Sequence, residues 1–203
     1  MNLGKVSAIV LASGASRRFG GPDKLSALLD GKPVAQYVAE CVAATPIRNR
    51  YFVARQRSAG LIAIFETLGF ETVVNPNPEA GQGASLALGA RRALQDRPEG
   101  VLVCLADMPF VTPQILHDLG AVIGASDVVI CGPADGAMSP PALFSFSAAR
   151  ALADLRGDSG AQRLIRRLDL VSRLDVDPRY LRDIDTQDDL KAAGAAPAGT
   201  LVH

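Results

Sequence analysis

Short apolar runs alternate along the chain with segments whose apolar residues recur at helical spacing. Continuous apolar runs of this kind are typical of strands that are buried on both faces. The pattern predicts strands over residues 6–12, 50–54, 70–75, 101–105 and 127–131. It predicts helices over residues 33–44, 58–69 with Ser58 as the N-cap, 84–96, from 113 onward, 147–155, 161–168 and after 186.

Strands that alternate with helices indicate a parallel sheet covered on both faces. We therefore expect an α/β protein with a single doubly wound, mostly parallel sheet. Residues 1–194 are predicted to form one domain, and residues 195–203, rich in Ala, Pro and Gly, a flexible C-terminal tail. Ligands of such sheets bind beyond the carboxyl ends of the strands. The residues that follow each strand are therefore the candidates for function.

Composition narrows the classes of function. The 203 residues carry zero formal net charge, which argues against a broad basic face for nucleic acid. The apolar stretch near the start is interpreted as the first strand rather than a signal peptide, and no run approaches the ~20 apolar residues of a membrane span. We expect a cytoplasmic protein with no membrane partner. The three cysteines are far apart and there are only two histidines, so a metal would be held by carboxylates, which favours Mg²⁺.

The loop after the first strand is the first candidate site. Residues 9–24 read IVLASGASRRFGGPDK, which is neither a Walker loop nor a dinucleotide-binding fingerprint. Glycine N–H groups, hydroxyls and cations can together bind an anion such as phosphate. The residues that supply them are Ser13, Gly14, Ser16, Arg17, Arg18, Gly20, Gly21 and Lys24. The alternative is a solvated loop with surface cations.

Aspartates provide the second candidate site. Asp107 follows a buried strand and precedes Pro109, which suits a ligand of a hard cation, although such an aspartate is also a common turn cap. Asp107 would share its sheet edge with the cationic loop, and phosphate and Mg²⁺ occur together. Asp183 and Asp185 precede Thr186, a predicted N-cap, and either is a candidate second metal ligand.

A glycine-containing segment, NPNPEAGQGASL at residues 75–86, is the third candidate. Gly81 and Gly83 permit close backbone approach, and Ser85 lies near a helix start. The segment could cradle a flat base or serve as a flexible connection. The chain also lacks G-x-S-x-G and a reactive cysteine context. The absence of a protein nucleophile is consistent with transfer to a phosphate group. A phosphomonoester has a second pKa near ~6, so it is already ionised at neutral pH and needs no strong general base.

Five segments resemble the nucleotidyltransferases that mature the molybdenum cofactor. LASGASRRFGGPDK is similar to that family's LAxGxSxRxGxxK loop, and LADMPFVTP to its metal-binding LADxPxVTP. VVNPNPEAGQGASL resembles VVNPxxxxGxGxSL of the cytidylyltransferase branch, RGDSGAQ resembles GDxGAR, and DIDTQDDL resembles DIDTPEDL. The similarities run in order from about residue 6 to residue 190.

The resemblance implies a Rossmann-like nucleotidyltransferase that moves CMP from CTP to the terminal phosphate of molybdopterin, releases pyrophosphate and uses Mg²⁺. The implied catalytic residues are Arg18, Lys24 and Asp107, with Asp107 and Asp185 as metal ligands. The implied nucleotide-binding residues are Leu11, Ala12, Ser13, Gly14, Ser16, Arg18, Lys24, Asn75, Gly83 and Ser85. The implied acceptor-binding residues are Pro141, Asp158, Ser159 and Gly160. A molybdoenzyme that receives the product is a further candidate partner.

Departures from the family pattern leave alternatives open. Ser13 stands where cytidylyl members usually carry alanine, SPPALF at residues 139–144 lacks a histidine, and GDSGAQ lacks an arginine. The alternatives are transfer from GTP, another phosphorylated acceptor, or a non-catalytic nucleotide- or pterin-binding maturation protein. The intact Lys24 and Asp107 argue against a non-catalytic protein.

Overall fold

The central sheet is the frame on which the rest of the chain is arranged. A computed structural model describes residues 1–12, 19, 23–55, 58–133, 136–158 and 160–194. Within these residues the strands are β1 (Val6–Leu11), β2 (Leu28–Leu29), β3 (Lys32–Pro33), β4 (Asn49–Arg55), β5 (Glu71–Asn75), β6 (Gly100–Leu105), β7 (Val128–Gly132), β8 (Ser139–Ser145) and β9 (Val171–Asp175).

Helices connect most of these strands. They are α1 (Val34–Ala43), α2 (Ala59–Thr67), α3 (Gln82–Leu94), α4 (Pro113–Val122), α5 (Phe146–Leu152), α6 (Gln162–Ile165) and α7 (Gln187–Gly194). Single 3-10 turns span Leu3–Lys5, Pro78–Ala80 and Pro178–Leu181. Each predicted strand and helix has a counterpart here, with ends that differ by a few residues.

The strand order defines the topology. In the described residues the seven-stranded sheet runs β5-β4-β1-β6-β8-β7-β9, and β2 pairs with β3 in a separate hairpin. β1 lies parallel to both β4 and β6, while β8 is antiparallel to β6 and β7. From β1 the chain first builds β4 and β5 on one side and then crosses back to build β6 and the later strands on the other side. The fold is therefore doubly wound. The predicted fold class, a mostly parallel sheet with helices, is confirmed.

Two apolar layers cover the sheet. Ala8 and Val10 of β1 pack on one face, where the buried residues of α1, α2 and α4 lie. Ile9 and Leu11 pack on the other face, against α3, α5 and α6. Since successive side chains of a strand point to opposite faces, this alternation explains why β1 is an unbroken apolar run.

A third, smaller apolar cluster holds the end of the described chain against its beginning. Phe19 and Val34 pack there with Ile184 and Ala193. Phe19 is 2% exposed and Ile184 is 1% exposed, so both are anchored. This cluster brings the segment around Asp185 next to Phe19 and the start of α1.

Four strands and one cap differ from the expectations, since the short hairpin strands β2 and β3 were not predicted either. The edge strand β9 alternates between exposed and partly buried residues, so it lacks the apolar run that marked the central strands. β8 begins with Ser139, Pro140 and Pro141, and proline within a run argues against a strand because it cannot donate to the ladder. Ser58 is the N-cap residue of α2, as predicted, but its side chain makes no capping hydrogen bond.

All three cysteines are free and buried, as the sequence indicated. Burial raises the pKa of Cys41 and of Cys131 to about 12 and raises the pKa of Cys104 well above its usual range. Because the thiolate is the reactive form, the folded protein should react slowly with a disulfide reagent at pH 8. Titration in denaturant should then reveal three thiols, and rapid native labelling would contradict this.

None of the helices among the described residues is long and apolar enough to span a bilayer. The predicted tail, residues 195–203, lies outside the described residues.

Candidate functional site

The carboxyl ends of β1 and β6 place Asp107. Leu11 and Leu105, the last residues of these strands, are register partners. The pairing continues one step further, because the Ala106 N–H donates to the Leu11 carbonyl at 3.0 Å. Asp107 therefore follows a rigid strand end directly beside the segment that leaves β1.

Lys24 joins two aspartates at this edge. Its Nζ lies 2.6 Å from Asp107 Oδ2 and 2.7 Å from Asp185 Oδ1. The side chains are 10%, 18% and 22% exposed respectively, so the three charges form a largely desolvated cluster. The turn that carries Lys24 is fixed by buried Leu25, whose carbonyl accepts from Ala35 N–H at 3.1 Å. We call Lys24, Asp107 and Asp185 the charged triad.

Asp185, the third member of the charged triad, lies near the C-terminal end of the described residues. The Ile184 N–H donates to the Asp107 carbonyl at 2.9 Å, which ties the two aspartate segments together. Asp189 Oδ2 accepts from the N–H groups of Asp185 at 3.1 Å and Thr186 at 2.7 Å. The Asp189 N–H in turn donates to Thr186 Oγ1 at 3.1 Å. This reciprocal cap confirms Thr186 as the N-cap of α7 and fixes Asp185.

The electrostatics of the cluster favour a cation. Burial opposes the charge of Lys24, but Asp107 and Asp185 together raise its pKa, so the ammonium is retained. Partial burial and then the charges of Asp185 and Asp107 raise the pKa of Asp183. The two carboxylates of the charged triad carry one more negative charge than Lys24 neutralises.

Asp107 has spare capacity to bind a metal. Its Oδ1 is buried and accepts no hydrogen bond within the described part of the chain. An unsatisfied buried carboxylate oxygen is costly and calls for a ligand. No group of three or more His, Cys, Asp or Glu side chains that could hold a metal occurs among the described residues. The site therefore fits a cation such as Mg²⁺, which uses one or two carboxylates and takes its other ligands from water and phosphate.

The predicted base-binding residues are engaged with one another. Asn75 Nδ2 donates to Ser85 Oγ at 2.9 Å, and Ser85 Oγ donates to the Gly81 carbonyl at 3.2 Å. Asn75 is 5% exposed and Ser85 is 1% exposed. In this structure, these two side chains fix the turn that begins α3.

Gly81 and Gly83 face the backbone of residues 156–158. Gly83 N–H donates to the Gly157 carbonyl at 2.8 Å. A Cβ added to Gly81 would lie 2.4 Å from Asp158 Oδ1 and 2.5 Å from Gly157, and one added to Gly83 would lie 2.8 Å from the Gly157 carbonyl oxygen. Both glycines are thus required by packing within the chain, which also brings the predicted nucleotide and acceptor segments into contact.

Replacing Gly81 by alanine is expected to destabilise the fold more than replacing Gly31. Gly81 has φ of +95° and no room for a Cβ, whereas Gly31 has φ of +80° and nothing within 4 Å. Left-handed backbone costs a residue with a Cβ about 1–2 kcal/mol. The overpacking at Gly81 adds roughly 1–3 kcal/mol. Urea unfolding of both variants measures the difference, and equal losses would contradict the close contact.

The other predicted site residues fall into three groups. Ser13, Gly14, Ser16, Arg18 and Ser159 lie outside the described residues. Leu11 and Ala12 are buried at the end of β1, with the Ala12 N–H donating to the Val53 carbonyl at 2.9 Å. Pro141 is buried in β8, Asp158 is exposed, and Gly160 lines a cavity.

Sequence reasoning did not identify Met138, which lines the same cavity. It included Gln82, Pro140 and Gln162 only as members of the segments GQGAS, SPPALF and GDSGAQ. It also did not anticipate that Lys24 bridges both carboxylates. Lys24 is separated from Asp107 by 83 positions and from Asp185 by 161 positions. The sequence indicated only that Asp107 follows a predicted strand, that Lys24 lies in the segment after another, and that Asp185 precedes a predicted N-cap.

The lysine and aspartates lie at the carboxyl edge of the parallel sheet, where open α/β sheets bind their ligands. A comparison with family models matches residues 8–172 to the MobA-like NTP transferase domain. The chain belongs to this family of nucleotidyltransferases, as the five sequence segments predicted.

Individual relatives agree with this assignment. The purine catabolism protein PucB of Bacillus subtilis is 29% identical over 195 residues, covering 89% of this chain and 92% of its own. The crystal structure of Rv0371c from Mycobacterium tuberculosis superposes with a TM-score of 0.79 at 28% identity, covering 93% of this chain and 96% of that one. A second Rv0371c structure, in complex with manganese, gives a TM-score of 0.78 at 25% identity over 94% of this chain and 98% of that one.

Proposed function

We propose that the protein transfers CMP from CTP to the terminal phosphate of molybdopterin, with Mg²⁺ as the metal. The observation that carries the proposal is the charged triad, which places one cation and two carboxylates at the carboxyl edge of a nucleotidyltransferase sheet. Family membership supports nucleotidyl transfer as the reaction. The cytidylyl-type segment at residues 73–86 supports CTP.

In the proposed reaction, an oxygen of the acceptor's terminal phosphate attacks the α-phosphorus of CTP. A bond forms between that oxygen and the phosphorus, and the bond from the phosphorus to the oxygen bridging toward the β-phosphorus breaks. Pyrophosphate leaves with the electron pair. The attacking phosphate is already ionised near neutral pH, with a second pKa of about 6, so no protein base is required.

Lys24 supplies charge to the reacting phosphates. An ammonium has three N–H donors, and two of them are directed at Asp107 and Asp185. A triphosphate beside the charged triad would compete with these carboxylates for the lysine. Lys24 is therefore positioned to neutralise negative charge that develops on the departing pyrophosphate.

Asp107 and Asp185 would hold the divalent cation. The buried, unsatisfied Oδ1 of Asp107 supports it as the principal ligand. When bound, such a cation acts as a Lewis acid that stabilises charge on phosphoryl oxygens. With Asp107 and Asp185 engaged in holding a cation, the Lys24 ammonium would be available to bind phosphate.

The choice of nucleotide is tested by competition. With CTP and GTP in one reaction and molybdopterin as acceptor, the ratio of CMP to GMP in the product gives the ratio of specificity constants. We expect CTP to be preferred, because the segment at residues 73–86 resembles that of the cytidylyltransferase branch. A polar site left unpaired by the wrong base discriminates strongly. A ratio that favours GTP would overturn the cytidylyl assignment and leave nucleotidyl transfer intact.

A further inference from the structure

Asp185 is the member of the charged triad that lies farthest from regular secondary structure of the central sheet. Asp107 lies two residues beyond β6, a strand in the middle of that sheet. Asp185 lies in the irregular segment between the 3-10 turn Pro178–Leu181 and α7. Such a segment lacks the ladder of backbone hydrogen bonds that fixes a strand. The position of the Asp185 carboxylate therefore depends on individual hydrogen bonds on either side of it.

Two backbone hydrogen bonds hold this segment. The Ile184 N–H donates to the Asp107 carbonyl at 2.9 Å, and the Ile184 side chain is buried. The Asp185 N–H donates to Oδ2 of Asp189, the third residue of α7, at 3.1 Å. The segment is thus tied to Asp107 on one side and to α7 on the other.

One oxygen of Asp189 makes all the contacts on the α7 side. Asp189 Oδ2 accepts from the Asp185 N–H at 3.1 Å, from the Thr186 N–H at 2.7 Å and from Thr186 Oγ1 at 2.7 Å. A carboxylate oxygen has two lone pairs, so three donors occupy it fully. Hydrogen bonds to an ionised carboxylate are also roughly twice as strong as neutral ones. This oxygen therefore serves the backbone around Asp185 and is not left for a metal.

The position of the Asp185 carboxylate matters because it shares one cation with Asp107. Lys24 Nζ lies 2.6 Å from Asp107 Oδ2 and 2.7 Å from Asp185 Oδ1, so the two carboxylates flank one position. Mg²⁺ requires its ligands at about 2.0–2.1 Å in near-ideal octahedral geometry. A small displacement of Asp185 would therefore weaken metal binding while leaving Asp107 in place.

We propose that Asp189 is a positioning residue that sets the metal affinity of the charged triad. Its carboxylate holds the backbone of Asp185, so that the Asp185 side chain faces Asp107 across the cation. Partners that orient metal ligands commonly contribute about 10- to 100-fold to metal affinity. The use of that cation in catalysis rests on the proposed function, whereas the positioning concerns metal binding by the chain alone.

Metal binding in the absence of nucleotide tests this role. The probe is Mn²⁺, and the EPR signal of the free ion is followed as the full chain is added. Asp189→Ala removes the acceptor and should weaken Mn²⁺ binding about tenfold or more. Asp189→Asn keeps an acceptor oxygen without the charge and should bind Mn²⁺ nearly as tightly as the wild type. Equal weakening in both variants would assign the effect to charge alone and overturn the positioning role.

A double-mutant cycle shows whether Asp189 acts through Asp185. Asp185→Asn alone should weaken Mn²⁺ binding, because a charged ligand is lost. Adding Asp189→Ala to Asp185→Asn should then leave the Mn²⁺ affinity unchanged, since effects that pass through one residue are not additive. A further tenfold or larger loss in that background would mean that Asp189 binds the metal itself, and it would overturn the positioning role.

The matched control is Ser145→Ala, which removes the N-cap of a different helix. Ser145 Oγ accepts from the Ala148 N–H at 3.3 Å at the start of α5, and Ser145 is the register partner of Gly100, the first residue of β6. The control therefore lies at the opposite end of β6 from Asp107. Its thermal stability should fall, as is usual when a cap is lost, and its Mn²⁺ affinity should equal that of the wild type. Equal weakening of Mn²⁺ binding in Ser145→Ala and Asp189→Ala would reduce the effect to stability and overturn the proposal.

Turnover separates the positioning role from the proposed function. Asp189→Ala should need more Mg²⁺ for CMP transfer and should recover its kcat at saturating Mg²⁺. If the wild type transfers CMP but Asp189→Ala binds Mn²⁺ as tightly as the wild type, the positioning role falls and the proposed function stands. If Mn²⁺ binding follows the expected pattern but no nucleotide is transferred, the proposed function falls and the positioning role stands. Failure of the wild type to bind Mn²⁺ would overturn the positioning role.

Discussion

Replacing Lys24 by methionine is expected to lower kcat by roughly 100- to 1,000-fold, the usual effect of removing one preorganised donor to transition-state charge. The methionine keeps most of the length and apolar stem of lysine and removes the ammonium that bridges Asp107 and Asp185. Single-turnover kinetics at saturating CTP measure the loss directly, because product release no longer contributes.

The same variant should remain folded. Loss of a hydrogen-bonded charge costs about 1–3 kcal/mol, and domains of this kind have about 5–15 kcal/mol of stability. The unneutralised carboxylates should then bind a divalent cation without competition from the ammonium. We therefore expect Mn²⁺ to raise the Tm of Lys24→Met more than that of the wild type, with nucleotide absent.

A double variant, Lys24→Met with Asp185→Asn, separates stability from catalysis. Removing one carboxylate removes the repulsion between Asp107 and Asp185 that the loss of the ammonium leaves. The double variant should therefore be more stable than Lys24→Met. Its kcat should stay low, because no ammonium is restored. Near-normal turnover in folded Lys24→Met would show that the lysine only pairs the aspartates.

Asp107→Asn is expected to abolish metal-dependent turnover, and Asp185→Asn to weaken it. Asp107 is the stronger candidate ligand because one of its side-chain oxygens is buried without a hydrogen-bond partner in the described residues. Its carbonyl also accepts from the Ile184 N–H, which holds its backbone in place. An amide keeps the shape but loses the charge that a hard cation requires. Initial rates across a Mg²⁺ titration should show no saturable activation in Asp107→Asn and a raised metal requirement in Asp185→Asn.

Asp188→Asn is the matched control, since Asp188 lies in the same segment but its side chain is 91% exposed and faces Lys191 at 3.3 Å. Its metal titration should match that of the wild type. Unchanged Mg²⁺ activation in Asp107→Asn would remove that residue from the metal site.

The parallel half of the fold was predictable because its strands carry the signal that buried strands must carry. β1, β6 and the middle of β4 are buried apolar runs, whereas the edge strand β5 is marked by its β-branched residues Thr72, Val73 and Val74. The helices between these strands begin and end near Pro, Gly and capping residues. β8 was missed because Pro140 and Pro141 argue against a strand, and pairing with β6 and β7 overrides that local preference. β9 was missed because its sequence, VSRLD, alternates exposed and partly buried residues and carries no apolar or β-branched run.

The candidate site was predictable one residue at a time but not as a unit. The position of Asp107 after a strand and of Thr186 before a helix follows from local rules. The bridge from Lys24 to Asp185 depends on burial of Phe19 and Ile184 in one small cluster, which local patterns do not encode. The cavity depends on residues from six separate elements, and the contact between Gly83 and Gly157 likewise links segments far apart in the chain.

Transfer of label from CTP tests nucleotidyl transfer at the charged triad most directly. The wild-type protein is incubated with CTP labelled at the α-phosphate, molybdopterin and Mg²⁺, and both labelled product and pyrophosphate are quantified. The account predicts label joined to molybdopterin in equal amount to the pyrophosphate released, and none with folded Asp107→Asn. Pyrophosphate released without labelled molybdopterin, or label transfer that survives in Asp107→Asn, would contradict it.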